Sequence, residues 1–309
     1  MTTSTPYVVT AIAHGATLEN EAKHQIQALL KTAPGTVCEG EKPLSERAQD
    51  FYFQSTLPLP ALKDLWAQLL VPDVDVVVQK NNEYRKQKGL VVFDMDSTLI
   101  YQEVIELIAA YANVEDKVAE ITDRAMNNEI DFKQSLAERV RLLKGIKTAT
   151  LYEEIKAKLR VTEGVPVLTK VLRQNGCKLA VLSGGFTPFA NYMRDTLQLD
   201  YARANELATE SLGSETVLSG HTIGEVVDGE CKAQTLTRLA REYAVPVEAT
   251  VMVGDGGNDL PAMRAAGFGI AWNAKPRVRA AAPCQLNTRS LQDALFIFGY
   301  TAAEIAASA

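Results

Sequence analysis

The sequence is poor in cysteine, and its few cysteines are scattered with no C-x-x-C pair. This spacing argues against zinc sites and a disulfide framework, and it favours a reducing compartment. The N-terminus, MTTSTPYVVT, has neither the basic start and apolar core of a signal peptide nor the arginine-rich composition of a transit peptide. We therefore expect a cytoplasmic protein. The cysteines are Cys38, Cys177, Cys231 and Cys284.

The sequence also has no apolar run of the roughly 18 residues that a membrane span needs, no internal repeat and no excess of basic residues. The formal net charge of −6 argues against nucleic acid or anionic lipid as the main partner. The chain has 309 residues, of which 47% are hydrophobic and 23% charged. This composition is typical of a globular protein, and the length suffices for two domains.

Residues 1–84 carry the pattern of a small α/β unit. Apolar and amphipathic segments predict the order βαββαβ, which is the ferredoxin-like arrangement. The polar stretch NNEYRKQKG at 81–89 then marks a domain boundary. The predicted strands cover 7–13, 35–41, 50–57 and 74–80, and the predicted helices cover 18–32 and 61–70.

Residues 85–309 carry the pattern of a doubly wound α/β domain. Short apolar runs that end in polar or glycine-rich turns recur, namely LVVFDMD, KLAVLSGG, TVMVGDGGND and GFGIAWN. Such runs, separated by helical segments, predict a Rossmann-like parallel sheet covered on both faces. About 80 residues separate the first run from the second, whereas an ordinary crossover needs roughly a dozen or a few more. The excess has helical patterns, so we predict a helical cap inserted at about 102–165.

Chemistry-bearing residues recur where the predicted strands end. Taken singly, each has an ordinary interpretation as a helix cap, a glycine turn or a solvated charge. Together they predict a crevice at the carboxyl edge of the sheet, where ligands of such folds bind. Carboxylates so close together require a cation, and sparse oxygen ligands suit Mg²⁺. The four motifs are DMDST (Asp94, Asp96 and Thr98), SGG (Ser183, Gly184 and Gly185), the isolated Lys232, and GDGGND (Asp255, Asn258 and Asp259).

In order and spacing, these motifs resemble those of the haloacid dehalogenase-like phosphotransferases over about residues 90–300. Within that superfamily the chain is similar to the phosphoserine phosphatase family, through FDMDSTLIYQEVIELIA, ITDRAMNNEIDFKQSLAERVRLLKG, VLSGGF and GDGGNDLPAMRAAGFGIAWNAKP. The resemblance implies a Mg²⁺-dependent hydrolase that converts O-phospho-L-serine to L-serine and phosphate through a phosphoaspartyl intermediate. That reaction is the last step of serine biosynthesis by the phosphorylated route. The strand order of residues 1–84 is similar to that of ACT-type regulatory modules.

The resemblance assigns the chemistry to three residues. Asp94 is the implied nucleophile, since a carboxylate is ionised at neutral pH without a base. Asp96 is the implied acid for the leaving serine oxygen and then the base for water, while Lys232 and Mg²⁺ neutralise the phosphoryl oxygens. The implied metal ligands are Asp94, Asp255 and the backbone carbonyl of Asp96, with Asp259 and Thr98 supporting them.

The resemblance also implies two groups of substrate-binding residues. One group holds the phosphate, and the other lies in the cap and selects the serine part. In the cap, Glu103 would meet the ammonium group and Arg139 the carboxylate, because a guanidinium fork fits a planar carboxylate. Met126 and Phe132 would close over the substrate. The implied phosphate-binding residues are Ser183, Gly184, Gly185, Lys232 and Asn258.

Other functions stay open at this stage. A second enzyme interpretation is a phosphatase or phosphotransferase for another small phosphomonoester. A different class is a regulatory protein, either a phosphoaspartate switch of the receiver type or an amino-acid sensor. A receiver needs neither the second acid at Asp96 nor a long helical cap, which favours the phosphatase. A homodimer and serine binding by the N-terminal unit are also left open.

Overall fold

The computed structural model describes residues 4–69, 71–126 and 129–308, with Met126 described by its backbone alone. None of the helices in these ranges combines the length and apolarity needed to span a bilayer. The strands are β1 (Thr5–Ala13), β2 (Thr36–Pro43), β3 (Ala48–Ser55), β4 (Val74–Lys80), β5 (Leu90–Phe93), β6 (Lys178–Phe186), β7 (Tyr201–Leu212), β8 (Glu215–Ile223), β9 (Thr250–Gly254), β10 (Phe268–Trp272) and β11 (Gln285–Leu286). The α-helices are α1 (Asn20–Thr32), α2 (Leu59–Trp66), α3 (Val104–Ala109), α4 (Glu115–Met126), α5 (Phe132–Arg141), α6 (Leu151–Lys156), α7 (Val165–Gln174), α8 (Thr187–Leu197), α9 (Gly229–Glu242), α10 (Leu260–Ala265), α11 (Pro276–Ala281), α12 (Ala294–Ile297) and α13 (Ala302–Ser308).

The first four strands form an antiparallel sheet in the order β2-β3-β1-β4, so the predicted βαββαβ arrangement is confirmed. Helices α1 and α2 cover one face, where Ile26, Leu62 and Trp66 are buried with Phe51 and Phe53. Side chains alternate along a strand, so each strand also presents residues to the opposite face. Those residues pack elsewhere in the protein.

The opposite face lies against the C-terminal part of the chain. Ile12 of β1 and Val77 of β4 belong to the same buried cluster as Phe296 and Ile297. Burial of apolar surface is the main favourable contribution to such contacts. The N-terminal sheet therefore shares a core with the rest of the protein rather than being held by a linker alone.

A buried polar network crosses this contact. Arg85, which is 6% exposed, forms an ion pair with Asp50 (2.7 Å) and donates to Thr10 Oγ1 (3.1 Å) and to the carbonyl of Ile297 (3.2 Å). A buried charge is tolerated only when it is paired and hydrogen-bonded. The network therefore requires the N-terminal sheet and the C-terminal segment to keep one relative position.

The last seven strands form a second sheet in the order β11-β10-β9-β5-β6-β7-β8, parallel except for the antiparallel β7–β8 pair. All four residues of β5 are buried, and they alternate between two cores. Val91 and Phe93 pack in one cluster, while Leu90 and Val92 pack in the other. Both faces of the sheet are covered, as the apolar runs predict.

The segment predicted as a helical insertion contains α3, α4, α5 and α6 and lies between β5 and β6. We call residues 102–165 the cap. The chain leaves the core and returns to it at neighbouring points, because Ile100 pairs with Val161 in an antiparallel bridge. This pairing holds both ends of the cap beside the carboxyl end of β5.

The β7–β8 hairpin is a feature that the sequence did not predict. Most residues of β7 are exposed or half-buried, so the strand lacks the apolar run by which the other strands were recognised. The hairpin also pairs with the cap, since Gly145 N donates to the carbonyl of Leu218 (2.8 Å) and Thr148 N to that of Thr216 (3.0 Å). The end of the cap thus adds a short antiparallel segment to β8.

Candidate active site

Three neighbouring strands bring the predicted motifs to one edge of the second sheet. The strands β9, β5 and β6 are adjacent and parallel. Asp94 follows β5, Asp255 follows β9, and Ser183–Gly185 lie near the end of β6. We call Ser183–Gly185 the serine–glycine loop. Since parallel strands end at one edge, residues far apart in sequence meet there.

An acidic cluster lies at this edge. Asp94, Asp255 and Asp259 each offer a carboxylate oxygen, and these oxygens lie within 4.8 Å of one another. Lys232 is fully buried among them, with Nζ 2.8 Å from Asp94 Oδ2 and 2.7 Å from Asp259 Oδ1. Thr98 donates to Asp255 Oδ1 (3.1 Å). Three carboxylates against one lysine leave an excess of negative charge, so this oxygen-only set fits a hard divalent cation.

Burial and charge shift the pKa values in this cluster. Burial disfavours the ammonium form of Lys232, but the carboxylates of Asp259 and Asp94 outweigh it and raise the lysine pKa. Burial, followed by repulsion from Asp94, raises the pKa of Asp255 well above its usual range. Lys232 therefore stays protonated, and a further positive charge beside Asp255 would favour its ionised form.

The side chain of Asp96 bonds to the start of α3 and to Ser183. Its Oδ1 accepts from Val104 N (2.9 Å), and its Oδ2 lies 3.3 Å from Ser183 Oγ. Burial, followed by repulsion from Glu103, raises the pKa of Asp96 well above its usual range. Among the described residues the metal-competent cluster contains Asp259 instead of the Asp96 carboxylate. The expected contribution of the Asp96 backbone carbonyl stays a prediction.

The cap contributes one carboxyl group and one guanidinium group to the same crevice. Glu103 accepts from Ser97 Oγ (2.7 Å), and burial raises its pKa. Burial lowers the pKa of Arg139, while the charges of Glu103 and Asp96 raise it. The Arg139 guanidinium donates from Nε to the carbonyl of Ser135 (3.3 Å), and no ion pair with a described carboxylate is seen. Its other donors are thus available for a carboxylate brought by a ligand.

The cap also approaches the core at Phe132. A Cβ placed on Gly184 would lie 2.8 Å from Phe132 Cζ and 3.4 Å from Asn258 Nδ2, so a side chain there would displace the ring. The neighbouring Lys133 forms an ion pair with Asp228, the residue before α9 (3.0 Å). The predicted Met126 side chain lies outside the described residues. Phe132 therefore covers the serine–glycine loop beside Asn258, and its closing over the substrate stays a prediction.

Comparison with known proteins identifies the family. Residues 89–267, more than half of the chain, match the family model of haloacid dehalogenase-like hydrolases. The chain belongs to this family. The expectation drawn from the four motifs is therefore confirmed.

Relatives of this haloacid dehalogenase-like hydrolase cover between 68% and 99% of it. A phosphoserine phosphatase of Saccharomyces cerevisiae is 55% identical over 305 residues, or 97% of this chain and 98% of the relative. A solved probable phosphoserine phosphatase of Vibrio cholerae is 32% identical and covers 99% of this chain and 90% of its own, with a TM-score of 0.70. A structure described as a phospho-aspartyl intermediate analogue of phosphoserine phosphatase is 38% identical and covers 68% of this chain and 99% of its own, with a TM-score of 0.63.

Two residues of this hydrolase's crevice were missed by the sequence reasoning. Ser97 adopts a left-handed backbone conformation (φ 53°) and holds Glu103. Ser97 lies inside the motif DMDST, which could have indicated it, but only the two acids and the threonine of that motif were predicted as site residues. Asn205 contacts the serine–glycine loop from β7. It gave no signal, because β7 itself was not predicted.

Proposed function

We propose that the chain hydrolyses O-phospho-L-serine to L-serine and phosphate through a phosphoaspartyl intermediate on Asp94. One observation carries this proposal. The crevice joins a lysine-paired carboxylate at the sheet edge to an acid and a base in the cap, Glu103 and Arg139. The ammonium and carboxylate of phosphoserine complement that pair, and the 55% identical yeast relative bears the same activity in its name.

Asp94 is the nucleophile in this proposal. Its Oδ1 accepts from Met95 N (2.7 Å) and its Oδ2 from Lys232 (2.8 Å), so the side chain is held in one orientation. Lys232 also offsets the repulsion between this carboxylate and an incoming phosphate dianion. Attack on phosphorus forms the acyl phosphate as the bond to the serine oxygen breaks.

Asp96 supplies and then recovers a proton. Burial raises the pKa of Asp96 and so favours the protonated carboxyl, which would donate to the serine oxygen as that oxygen leaves. The resulting carboxylate then takes a proton from the water that attacks the phosphoaspartate. The released phosphate is held by Ser183, Gly184, Gly185, Asn258 and Lys232.

The acidic cluster suits Mg²⁺. Asp94, Asp255 and the carbonyl of Asp96 would hold the ion, with Asp259 and Thr98 supporting them. When bound, the ion neutralises charge on Asp94 and on the phosphoryl oxygens. The excess of carboxylates over lysine supports this assignment.

Substrate choice belongs to the cap. Glu103 would bind the ammonium group and Arg139 the carboxylate of the substrate, with Phe132 and Met126 closing over it. The guanidinium lies in the field of Glu103 and Asp96 and has no ion pair with a described carboxylate, which supports the assignment for Arg139.

The test is phosphate release from L-phosphoserine, phosphoethanolamine and p-nitrophenyl phosphate, with Mg²⁺ and with a chelator. Multiple turnovers on L-phosphoserine that need Mg²⁺ and vanish in Asp94→Asn are expected. Free serine added as an acceptor distinguishes a phosphotransferase. Greater kcat/KM for another phosphomonoester would overturn the substrate assignment, and a single turnover with stable phosphoenzyme would indicate a receiver-type switch.

We also propose a division of the chain into two domains. Residues 1–84 form an ACT-like unit that regulates or dimerises, and residues 85–309 form a phosphatase domain with its cap at about 102–165. The shared core around Ile12 and Ile297 would carry an effect of serine binding into the catalytic part. We place the enzyme in the cytoplasm, where its free thiols stay reduced. Sedimentation with and without serine tests the first proposal, and cell fractionation tests the second.

A further inference from the structure

The serine–glycine loop leaves the ladder between β6 and β7. The register passes from Leu182 opposite Arg203 to Phe186 opposite Asn205. Three residues of β6 therefore stand against one residue of β7, which is a bulge. Residues in a bulge lose their ladder hydrogen bonds, so their peptide groups need other partners.

Asn205 provides one such partner. It is 2% exposed, its Nδ2 donates to the carbonyl of Gly184 (2.8 Å), and its Oδ1 accepts from Val227 N (2.8 Å). A carbonyl can only accept and a backbone N–H can only donate, so these two contacts fix which way the amide faces. Asn205 thus joins the loop to the segment that leads into α9 and Lys232.

The contact with Gly184 determines where the next N–H points. In a trans peptide the C=O and N–H bonds lie in one plane and point in opposite directions. With the Gly184 carbonyl held by Asn205, the Gly185 N–H faces the other way and donates to Ser183 Oγ (2.8 Å), which lies 3.3 Å from Asp96 Oδ2. The N–H side of this peptide therefore faces the reacting groups.

A glycine on each side makes this peptide easy to rotate, because neither residue has a Cβ to restrict it. Rotation would turn the Gly184 carbonyl oxygen toward the phosphoryl oxygens and repel them. We propose that Asn205 is a positioning residue that keeps the peptide between Gly184 and Gly185 in the anion-accepting orientation. This inference rests on the proposed phosphatase function and adds a residue to it.

Two variants separate the peptide contact from general stability. Asn205→Asp keeps the acceptor for Val227 N but cannot donate to Gly184. Asn205→Leu is neutral and removes both contacts; if it does not fold, Asn205→Ser replaces it. The matched control is Arg203→Met, which breaks the ties of the same strand to Thr235 and Glu225 without touching the loop.

The readouts are kcat/KM for L-phosphoserine, the inhibition constant of inorganic phosphate, and the melting temperature. We expect a fall of roughly 10- to 100-fold in kcat/KM and a rise of at least tenfold in the phosphate inhibition constant for both Asn205 variants. Arg203→Met should stay within about twofold in both constants even if its melting temperature falls.

An unchanged phosphate constant in folded Asn205 variants would overturn the inference. So would an effect confined to Asn205→Asp, which would indicate added charge rather than peptide orientation. The wild-type chain is assayed alongside. If the wild type releases no phosphate from phosphoserine, the proposed function fails. If the wild type is active and the Asn205 variants keep its phosphate inhibition constant, only the inference about Asn205 fails.

Discussion

Replacing Arg139 by alanine should remove recognition of the substrate carboxylate while leaving the phosphoryl chemistry intact. The guanidinium is largely withdrawn from water and lies in the field of Glu103 and Asp96. Loss of one partner from a desolvated charge pair typically weakens binding by about 2–5 kcal/mol. Since about 1.4 kcal/mol is a factor of ten, kcat/KM for phosphoserine should fall by about 1.5 to 3.5 orders of magnitude.

Phosphoethanolamine provides the comparison, because it keeps the leaving oxygen and the ammonium group but has no carboxylate. Its kcat/KM should change far less in Arg139→Ala, and Arg139→Lys should not restore phosphoserine, since lysine lacks the planar fork. Arg141→Ala is the matched control, an exposed arginine on the same helix. An unchanged ratio of the two substrates in Arg139→Ala would refute the assignment.

Three further predictions follow from the described contacts. Asp96→Asn should lower phosphoserine turnover by about 10²–10⁴-fold, and p-nitrophenyl phosphate, whose oxygen leaves without a proton, should recover the first step only; near-normal serine release would contradict the acid role. Lys88 is 7% exposed between the rings of Phe268 and Phe298, and burial lowers its pKa from 10.5 to about 8. This lowering of the pKa corresponds to a cost of about 3 kcal/mol for burying the charged lysine, which its attraction to the two ring faces partly offsets. Lys88→Met should therefore raise the free energy of unfolding at pH 7 by about 1–3 kcal/mol. Between pH 8 and 10.5 the unfolded lysine holds a proton that the folded one has lost, so the free energy of unfolding of the wild type should rise with pH toward that of Lys88→Met. Urea unfolding measures this, and a difference between the two proteins that does not narrow with pH would refute the prediction. A chain starting at Gln87 keeps all four motifs and should release phosphate when folded. It loses Arg47, the partner of buried Asp293, which should lower the free energy of unfolding by about 3–5 kcal/mol. A well-folded but inactive truncation would contradict the activity prediction, and a melting temperature equal to that of the full chain would contradict the stability prediction.

The sequence predicted those parts of the molecule whose signals are local. The four residues of β5 are apolar in succession because both faces of the sheet are covered, and the acids after that strand mark the sheet edge. Asp94 and Lys232 were found in this way, since strand ends and helix starts can be recognised from short segments. Their ion pair at 2.8 Å agrees with that placement.

Contacts set by long-range packing could not be predicted. Arg85 reads as part of a polar linker, yet it is buried because Asp50 and the carbonyl of Ile297 converge on it from distant parts of the chain. Asn205 lies in a strand whose residues are mostly exposed or half-buried, so no apolar pattern marked it. In both cases the residue type is ordinary and the partners alone make it important.

The backbone pairing between the cap and β8 has a consequence for how the cap moves. The cap is fixed at two places, at the Ile100–Val161 bridge and at Gly145 with Leu218. A movement that keeps both sets of hydrogen bonds must be a rotation about the line joining them, in which residues far from that line travel furthest. Hydrogen exchange should accordingly be slow at the amides of Gly145 and Leu218, and fast exchange there would exclude such a hinge. On this geometry the β7–β8 hairpin, whose strand β7 is paired with β6, stays with the core sheet while the cap turns beside it.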